Sequence, residues 1–200
     1  MPSSIPEERL IASAKGGDRQ ALDELFRRER PYLFNLMCQL SGDAVRADDL
    51  TQEAVIAAFR KLGQFRFESS FRTWLSRIAI NLFRMERRKT PKHESLTLET
   101  IWVPGEDDHP ERKIIKSELQ WCIRHNLQHH LPRKYRVVLI LRDLQNLSYR
   151  EIAGILGCSL SRVKTDLHRG RRLFRAQFVK EKCRAFTDDY LCICEGIVDL

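Results

Sequence analysis

Residues 147–169 read LSYREIAGILGCSLSRVKTDLHR, and this stretch decides the fold. Ser148 and Glu151 form a capping box, in which the serine oxygen accepts from the Glu151 amide and the glutamate reaches back to the serine amide. Ile152, Ala153, Ile155 and Leu156 supply the buried side of a short helix. Ala153 is small where two helices cross closely. Gly157 is free to take the left-handed conformation that ends a helix, and Ser159 caps the next one. Val163, Leu167 and Phe174 give that second helix its apolar face. Its other side carries Ser161, Arg162, Lys164, Thr165, His168 and Arg169. A short helix, a glycine turn and a second helix with a basic exposed face is the layout of a DNA-reading helix-turn-helix. Residues near the N-terminus of the second helix are placed for base edges in the major groove, and the others for phosphates. The competing reading is a helical hairpin with a solvated basic face.

Helical period dominates the rest of the chain as well, and no stretch reads convincingly as a strand. Phe71, Trp74, Leu75, Ile78, Ala79 and Leu82 recur at i, i+3, i+4, i+7, i+8 and i+11, one apolar stripe on a long helix that Ser69 or Ser70 caps. A second stripe runs Leu22, Leu25, Phe26, then Leu33, Met37 and Leu40, with Pro31 expected to bend or restart it. Gly42 and Asp43 read as a stop and a new start. A helix ends near Leu131, and Pro132 opens another over Arg133–Leu144. The expected class is all-α, with two small helical domains joined by a flexible linker. The domains are residues 8–92 and 113–178, the linker 93–112, and a tail follows at 179–200.

The charge distribution supports two nucleic-acid-facing modules. The chain has 200 residues and a formal charge of +8, which draws it toward a polyanion. Ser159–Phe178 carries six basic residues and one acid, and Arg84–Lys92 carries five and one. His93–Pro110 between them has five acids and no Lys or Arg. Leu96, Leu98, Ile101 and Trp102 in this linker are apolar enough either to lie in a partner's groove or to pack on the protein's own helices. No signal peptide and no apolar run of membrane-spanning length is visible, so no membrane insertion is expected. Cytoplasmic, reduced thiols are the default for cysteines without scaffold spacing.

The amino-terminal stretch Asp48–Phe59 has two faces. Leu50, Ala54, Ala57 and Ala58 form the apolar one, and Asp49, Gln52, Glu53, Ile56 and Arg60 the other. A polar stripe with one exposed isoleucine suits docking on a basic helical partner, or is a plain solvated face. Phe65-Arg-Phe-Glu-Ser-Ser-Phe-Arg-Thr-Trp74 then packs aromatics beside arginines. Such a stretch fits unpaired bases, which stack on rings while arginines meet phosphates. In a helical bundle aromatics also serve as core.

Gly17-Asp18 with Ala21 and Phe26, Asp49-Leu-Thr-Gln-Glu53, Phe71-Arg-Thr-Trp-Leu75 with Ile78-Ala79 and Asn81, and Leu131-Pro132 together resemble the extracytoplasmic-function sigma factors. So do Leu139-Ile-Leu-Arg-Asp143, Leu147-Ser-Tyr-Arg-Glu-Ile-Ala153, and Val163-Lys164 with Leu167-His-Arg169. The resemblance spans residues 8 to 178 in order and spacing. It implies a promoter-melting domain (sigma region 2), a linker that threads toward the polymerase active-site channel, and a second domain (region 4) that reads the upstream promoter element. Asp49, Gln52, Glu53 and Ile56 would dock on the clamp helices of the polymerase largest subunit. Lys61, Phe65 and Asn81 would line a pocket for a base flipped from the −10 element, with Arg72, Trp74 and Arg77 supporting the loop or the strand. Lys164, Thr165, His168 and Arg169 would face the −35 element. The implied partners are core RNA polymerase and promoter DNA, with an anti-sigma factor as a further one. Two residues depart from the family pattern: Asp166 stands where a basic residue is usual and would repel phosphate, and Gly170 stands where alanine is usual and would weaken its helix by ~1 kcal/mol.

The tail beyond Phe178 carries Cys183, Cys192 and Cys194, and Cys192-Ile-Cys194 places two thiols close enough to share one soft ion such as Cu(I) or Zn(II). This resembles the metal-responsive sigma factors with cysteine-rich tails. Redox sensing is the competing reading. Cys122, His125 and His129, at i, i+3 and i+7, form a second candidate set that would add ligands to the tail or form a site alone, set against plain packing and solvation. Cys38 and Cys158 read as structural. No cofactor is otherwise required, and no enzyme is expected: no Gly-rich phosphate loop or nucleophile–base pair appears, and Asp48/Asp49 and Asp107/Asp108 read as docking and linker residues. A conventional helix-turn-helix regulator that acts without polymerase is the alternative, and it has no need of the features in residues 8–92.

Overall fold

A computed structural model describes residues 5–89 and 122–180, and every regular element among them is a helix. In chain order these are α1 (Glu7–Lys15), α2 (Arg19–Ser41), α3 (Ala44–Lys61) with a 3₁₀ turn at Leu62–Gln64, α4 (Phe71–Lys89), α5 (122–129), α6 (Arg133–Leu139) running into a wide turn of π-helix at Ile140–Leu144, α7 (Tyr149–Leu156) and α8 (Leu160–Lys180). They divide into two compact units, α1–α4 and α5–α8. Among the described residues no helix is long and apolar enough to cross a membrane.

In the first unit, local chemistry sets the helix ends. Asp18 caps α2 by accepting from the Gln20 and Ala21 amides, and Asp43 caps α3 by accepting from Val45 and Arg46. Gly42 closes α2 in the left-handed region at φ 76° while its amide donates to the Cys38 carbonyl. The Thr73 amide donates to Ser70 Oγ at 3.1 Å, so Ser70 starts α4. Helix α2 passes through Pro31 as a single helix and does not restart there. Leu25 and Phe26 before the proline and Leu33, Leu36 and Met37 after it are all buried. At ~1.5–3 kcal/mol per buried side chain, their burial outweighs the ~3 kcal/mol penalty of an interior proline. Ala47, Ala54 and Ala58 on the inner face of α3 are fully buried and admit close helix crossing. In α4 the anticipated stripe is buried at Phe71, Leu75, Ile78 and Ala79, but Ile80 and Phe83 are buried too, so the helix is enclosed over more of its circumference than the stripe predicts.

The second unit is built around Ile140, Leu141, Ile152, Ile155, Val163 and Leu167. Arg136, 8% exposed, donates to the carbonyls of Gln128 and Leu131 and to Gln128 Oε1. It thereby satisfies backbone acceptors at the end of α5 that no helix bond can reach. The Ser148–Glu151 capping box is present, and Gly157 is left-handed at φ 64°. Ser159 Oγ accepts from the Arg162 amide at 3.3 Å. Gly170 requires a different account from the one its sequence context gave. A Cβ there would lie 3.1 Å from Tyr135 Cβ and 3.3 Å from Leu139 Cδ1, so glycine is what lets α8 lie close against α6.

Candidate polymerase and DNA interfaces

The outer face of α3 is open. Asp49, Gln52, Glu53 and Ile56 are all exposed, while Leu50, Thr51, Ala54 and Ala58 behind them are buried. Two apolar residues extend this face beyond the sequence expectation: Val45 is 75% exposed and Phe59 54%. Both follow the same period, since Val45, Asp49, Gln52, Ile56 and Phe59 fall at i, i+4, i+7, i+11 and i+14. Gln52 Nε2 donates to Asp48 Oδ2 at 2.7 Å, and Arg30 pairs with Asp48 at 3.3 Å, which fixes the edge of the face. The result is an apolar strip with carboxylates along it, suited to a partner that offers both apolar and basic groups.

Beyond α3 the chain turns through residues 62–70 into α4, and the aromatics there take unequal roles. Phe65 is 2% exposed. Its ring packs on Phe71 (5.6 Å between centroids), Trp74 (5.3 Å) and Phe67 (4.9 Å). Its ring is therefore largely enclosed by these neighbours. The 3₁₀ turn, closed by a Phe65 amide bond to the Leu62 carbonyl, drives the side chain inward. Phe67 is the exposed ring of the loop. Lys15 of α1 donates to the Phe65 carbonyl at 2.9 Å and lies over the Phe67 ring.

Arg72 is also engaged inside the unit. Its guanidinium holds the carboxylate of Glu29 at 2.8 and 3.1 Å and lies 4.6 Å from the centre of the Tyr32 ring. Glu29 is 4% exposed, so this pairing answers a buried charge, and the bond from Glu29 holds the Arg72 pKa above its ordinary value. Trp74 is half-buried against Phe71. Lys61, Arg77 and Asn81 are exposed. Arg77 and Asn81 lie one turn apart on the outer side of α4, and Arg84 continues that line.

On α8 all six expected residues, Ser161, Arg162, Lys164, Thr165, His168 and Arg169, are exposed, while Val163 and Leu167 between them are buried. Asp166 pairs with Arg162 at 3.6 Å, which offsets the repulsion of phosphate expected of it. Arg171 anchors the helix through Asp143 at 2.6 Å, with both side chains under 15% exposed. Lys134 first and Arg169 second hold the Tyr135 phenol below its usual pKa.

Among the described residues no three His, Cys, Asp or Glu side chains come together as a metal site. His125 and His129 are neighbours, with ring centroids 4.5 Å apart. Cys122 and His129, however, are separated by seven residues, about 10 Å of helix rise. Donors bound to one ion at about 2.0–2.3 Å must lie much closer together than that. The three therefore form no site alone, and their other expected role, as added ligands for the tail, concerns residues outside the described ones. Cys38 is buried, and burial pushes its thiol up to about 12. Cys183, Cys192 and Cys194 and the linker 93–112 lie outside the described residues.

Comparison with known proteins adds the following. Residues 25–92 match the family model for sigma-70 region 2, and residues 126–174 that for sigma-70 region 4. The chain is 33% identical over 175 residues to an RNA polymerase sigma-H factor of Pseudomonas aeruginosa, covering 82% of this chain and 90% of the relative. It is 35% identical over 184 residues to the ECF RNA polymerase sigma factor SigE of Mycolicibacterium smegmatis, covering 90% and 70%. Two solved structures share the fold at a TM-score of 0.64. One is the sigma factor RpoE bound to the anti-sigma factor NepR from Bartonella quintana, at 23% identity over 80% of this chain and 97% of that one. The other is CnrH bound to the cytosolic domain of CnrY, at 22% identity over 88% and 99%.

Proposed function

The chain belongs to the extracytoplasmic-function group of the sigma-70 family, and on that premise we propose how its surfaces divide the work of promoter opening. It is an alternative sigma factor that joins core RNA polymerase, directs it to promoters and catalyses nothing itself. Its place of work is the cytoplasm, where polymerase and promoter meet. Residues 8–92 act as region 2, 93–112 as the linker, 113–178 as region 4, and 179–200 as a separate tail. A conventional regulator acting without polymerase is disfavoured, because region 2 is present as well as the helix-turn-helix.

The open α3 face carries this division. Asp49, Gln52, Glu53 and Ile56, extended by Val45 and Phe59, dock on the polymerase clamp. The neighbouring loop, with Lys61, Arg77 and Asn81, meets the melted −10 strand. Phe65, Trp74 and Arg72 hold that loop in shape from behind. The exposed groups of α8 meet the −35 duplex. Melting costs about 1.4 kcal/mol per base-pair step, and a stacked base returns only ~1–3 kcal/mol. Polymerase contacts supply the remainder, so the free protein opens nothing. In run-off transcription on genomic DNA, core polymerase plus this chain should give discrete new transcripts that core polymerase alone does not. Identical transcript sets would remove the proposal.

Two finer roles follow from the relatives and from the tail. Both structural neighbours were captured with anti-sigma partners, and a partner of that class is proposed for this chain. The thiols of Cys183, Cys192 and Cys194 are proposed to hold one Cu(I) or Zn(II) ion, supported by the Cys192-Ile-Cys194 spacing. Calorimetric titration with each ion should show one site that Cys192→Ser/Cys194→Ser abolishes. Equally weak binding by both proteins would exclude it.

A further inference from the structure

The geometry points to Phe67, backed by Lys15, as a stacking site for one unpaired DNA base and its phosphate. This deepens the reading of the loop as the −10 contact and rests on it.

Phe67 is a large apolar side chain left 49% exposed. It also sits in the left-handed region, at φ 59°. Bulky residues seldom adopt that conformation, and it persists where surrounding structure holds it. The core does not need the ring, because Phe65, Phe71 and Trp74 already fill the space beneath. Phe67 leans on Phe65 at a centroid distance of 4.9 Å and points the rest of its surface outward.

The neighbouring charges decide which ligand suits such a ring. Lys15 reaches from α1 and donates to the Phe65 carbonyl at 2.9 Å, which pins the loop backbone. Its ammonium is 5.7 Å from the Phe67 ring centre. Lys61 and Arg66 are exposed in the same segment, against one acid, Glu68. An exposed ring set among cations fits a nucleotide, with the base on the ring and the phosphate on Lys15 or Arg66. A purely protein partner would be served by the ring without the cations. Lys15 lies outside the residues matched by either family model, so the site joins α1 to the promoter-facing surface.

The test uses full-length chain and core polymerase, on a promoter identified by run-off transcription with the wild type. Permanganate reactivity of unpaired thymines reads the opening. Phe67→Gly removes the ring and suits the left-handed backbone, so it should melt no earlier than the wild type. It should lower the open fraction at limiting holoenzyme roughly tenfold, with core-polymerase affinity unchanged. Phe67→Trp should keep opening near wild type. Lys15→Gln should reduce opening several-fold, and Lys15→Arg should restore most of it. Wild-type opening by Phe67→Gly would overturn the assignment. So would a Phe67→Gly defect that vanishes once the loss of core-polymerase binding is corrected, because the ring would then be a protein contact. If the wild-type holoenzyme itself opens no promoter, the reading of the loop fails first and the assignment falls with it.

Discussion

Helix α8 and the loop at residues 65–70, the two surfaces proposed to meet DNA, are of opposite character. From α8, six polar side chains between Ser161 and Arg169 project from one regular face, held from behind by the Gly170 contact and the Arg171–Asp143 pair. In the amino-terminal unit the corresponding groups are scattered. Lys61 closes α3, Phe67 tops the loop, and Arg77 and Asn81 stand on α4. Their support comes from Arg72 on buried Glu29 and from Lys15 on the loop backbone. A rigid face spreads many small contacts over a duplex. A braced loop, on the proposal above, concentrates its effect on one ring and one base.

The two Arg–carboxylate anchors should therefore give the largest effects on stability. Arg171→Ala leaves Asp143 without its cation where both side chains are mostly enclosed, and should cost ~3 kcal/mol in urea unfolding of the carboxy-terminal unit. Arg72 is half exposed, so Arg72→Ala should cost less, ~2 kcal/mol, in the amino-terminal unit. A reversed order would break the comparison. Next come the α8 contacts. Lys164→Ala and Arg169→Ala should each weaken binding to a −35 duplex and reduce the slope of log K against log salt by about 0.9. Neither should alter binding of a single-stranded −10 oligonucleotide by the holoenzyme. Smaller still is Gly170→Ala. Helix propensity alone predicts a gain of ~1 kcal/mol, but the Tyr135 contact cancels it, so the melting temperature should not rise.

The smallest effect is the response to acid, which belongs to the amino-terminal unit. Arg27 first, then Arg28, hold the Glu24 carboxyl down at about 2, and the bond from Ser13 lowers Asp18. A carboxyl whose folded pKa lies below its unfolded value stabilises the fold above the unfolded pKa. That contribution disappears as pH falls from about 4.5 toward 2. Both groups are on the surface, so the fall in melting temperature over this window should be modest. Glu24→Gln should flatten part of it.

Features written within a few residues were legible in the sequence. The Ser148 box, Gly157, Asp43 and the exposed face of α8 all follow from local chemistry or helical period, and the structure keeps each. The exposed outer face of α3 was legible for its polar members, while Val45 and Phe59 share its period but resemble core residues by type. Other features depend on contacts distant in sequence. Two phenylalanines separated by one residue differ completely in burial, and Phe71 and Trp74 determine which goes in. Gly170 gains its meaning from Tyr135 on another helix. The length of α2 across Pro31 depends on what its two halves bury. Cys122, His125 and His129 form no site by themselves, because period places residues around a helix and not along it.

The central claim is that the α3 face is the polymerase contact without which no promoter is opened. The direct measurement is the affinity of core RNA polymerase for the wild type and for Asp49→Lys/Glu53→Lys, with −35 duplex binding by the free chains measured alongside. The account predicts that the variant loses polymerase affinity at least a hundredfold and all run-off transcription, while its melting temperature and duplex binding stay at wild-type values. Wild-type polymerase affinity in a variant that still transcribes would contradict it.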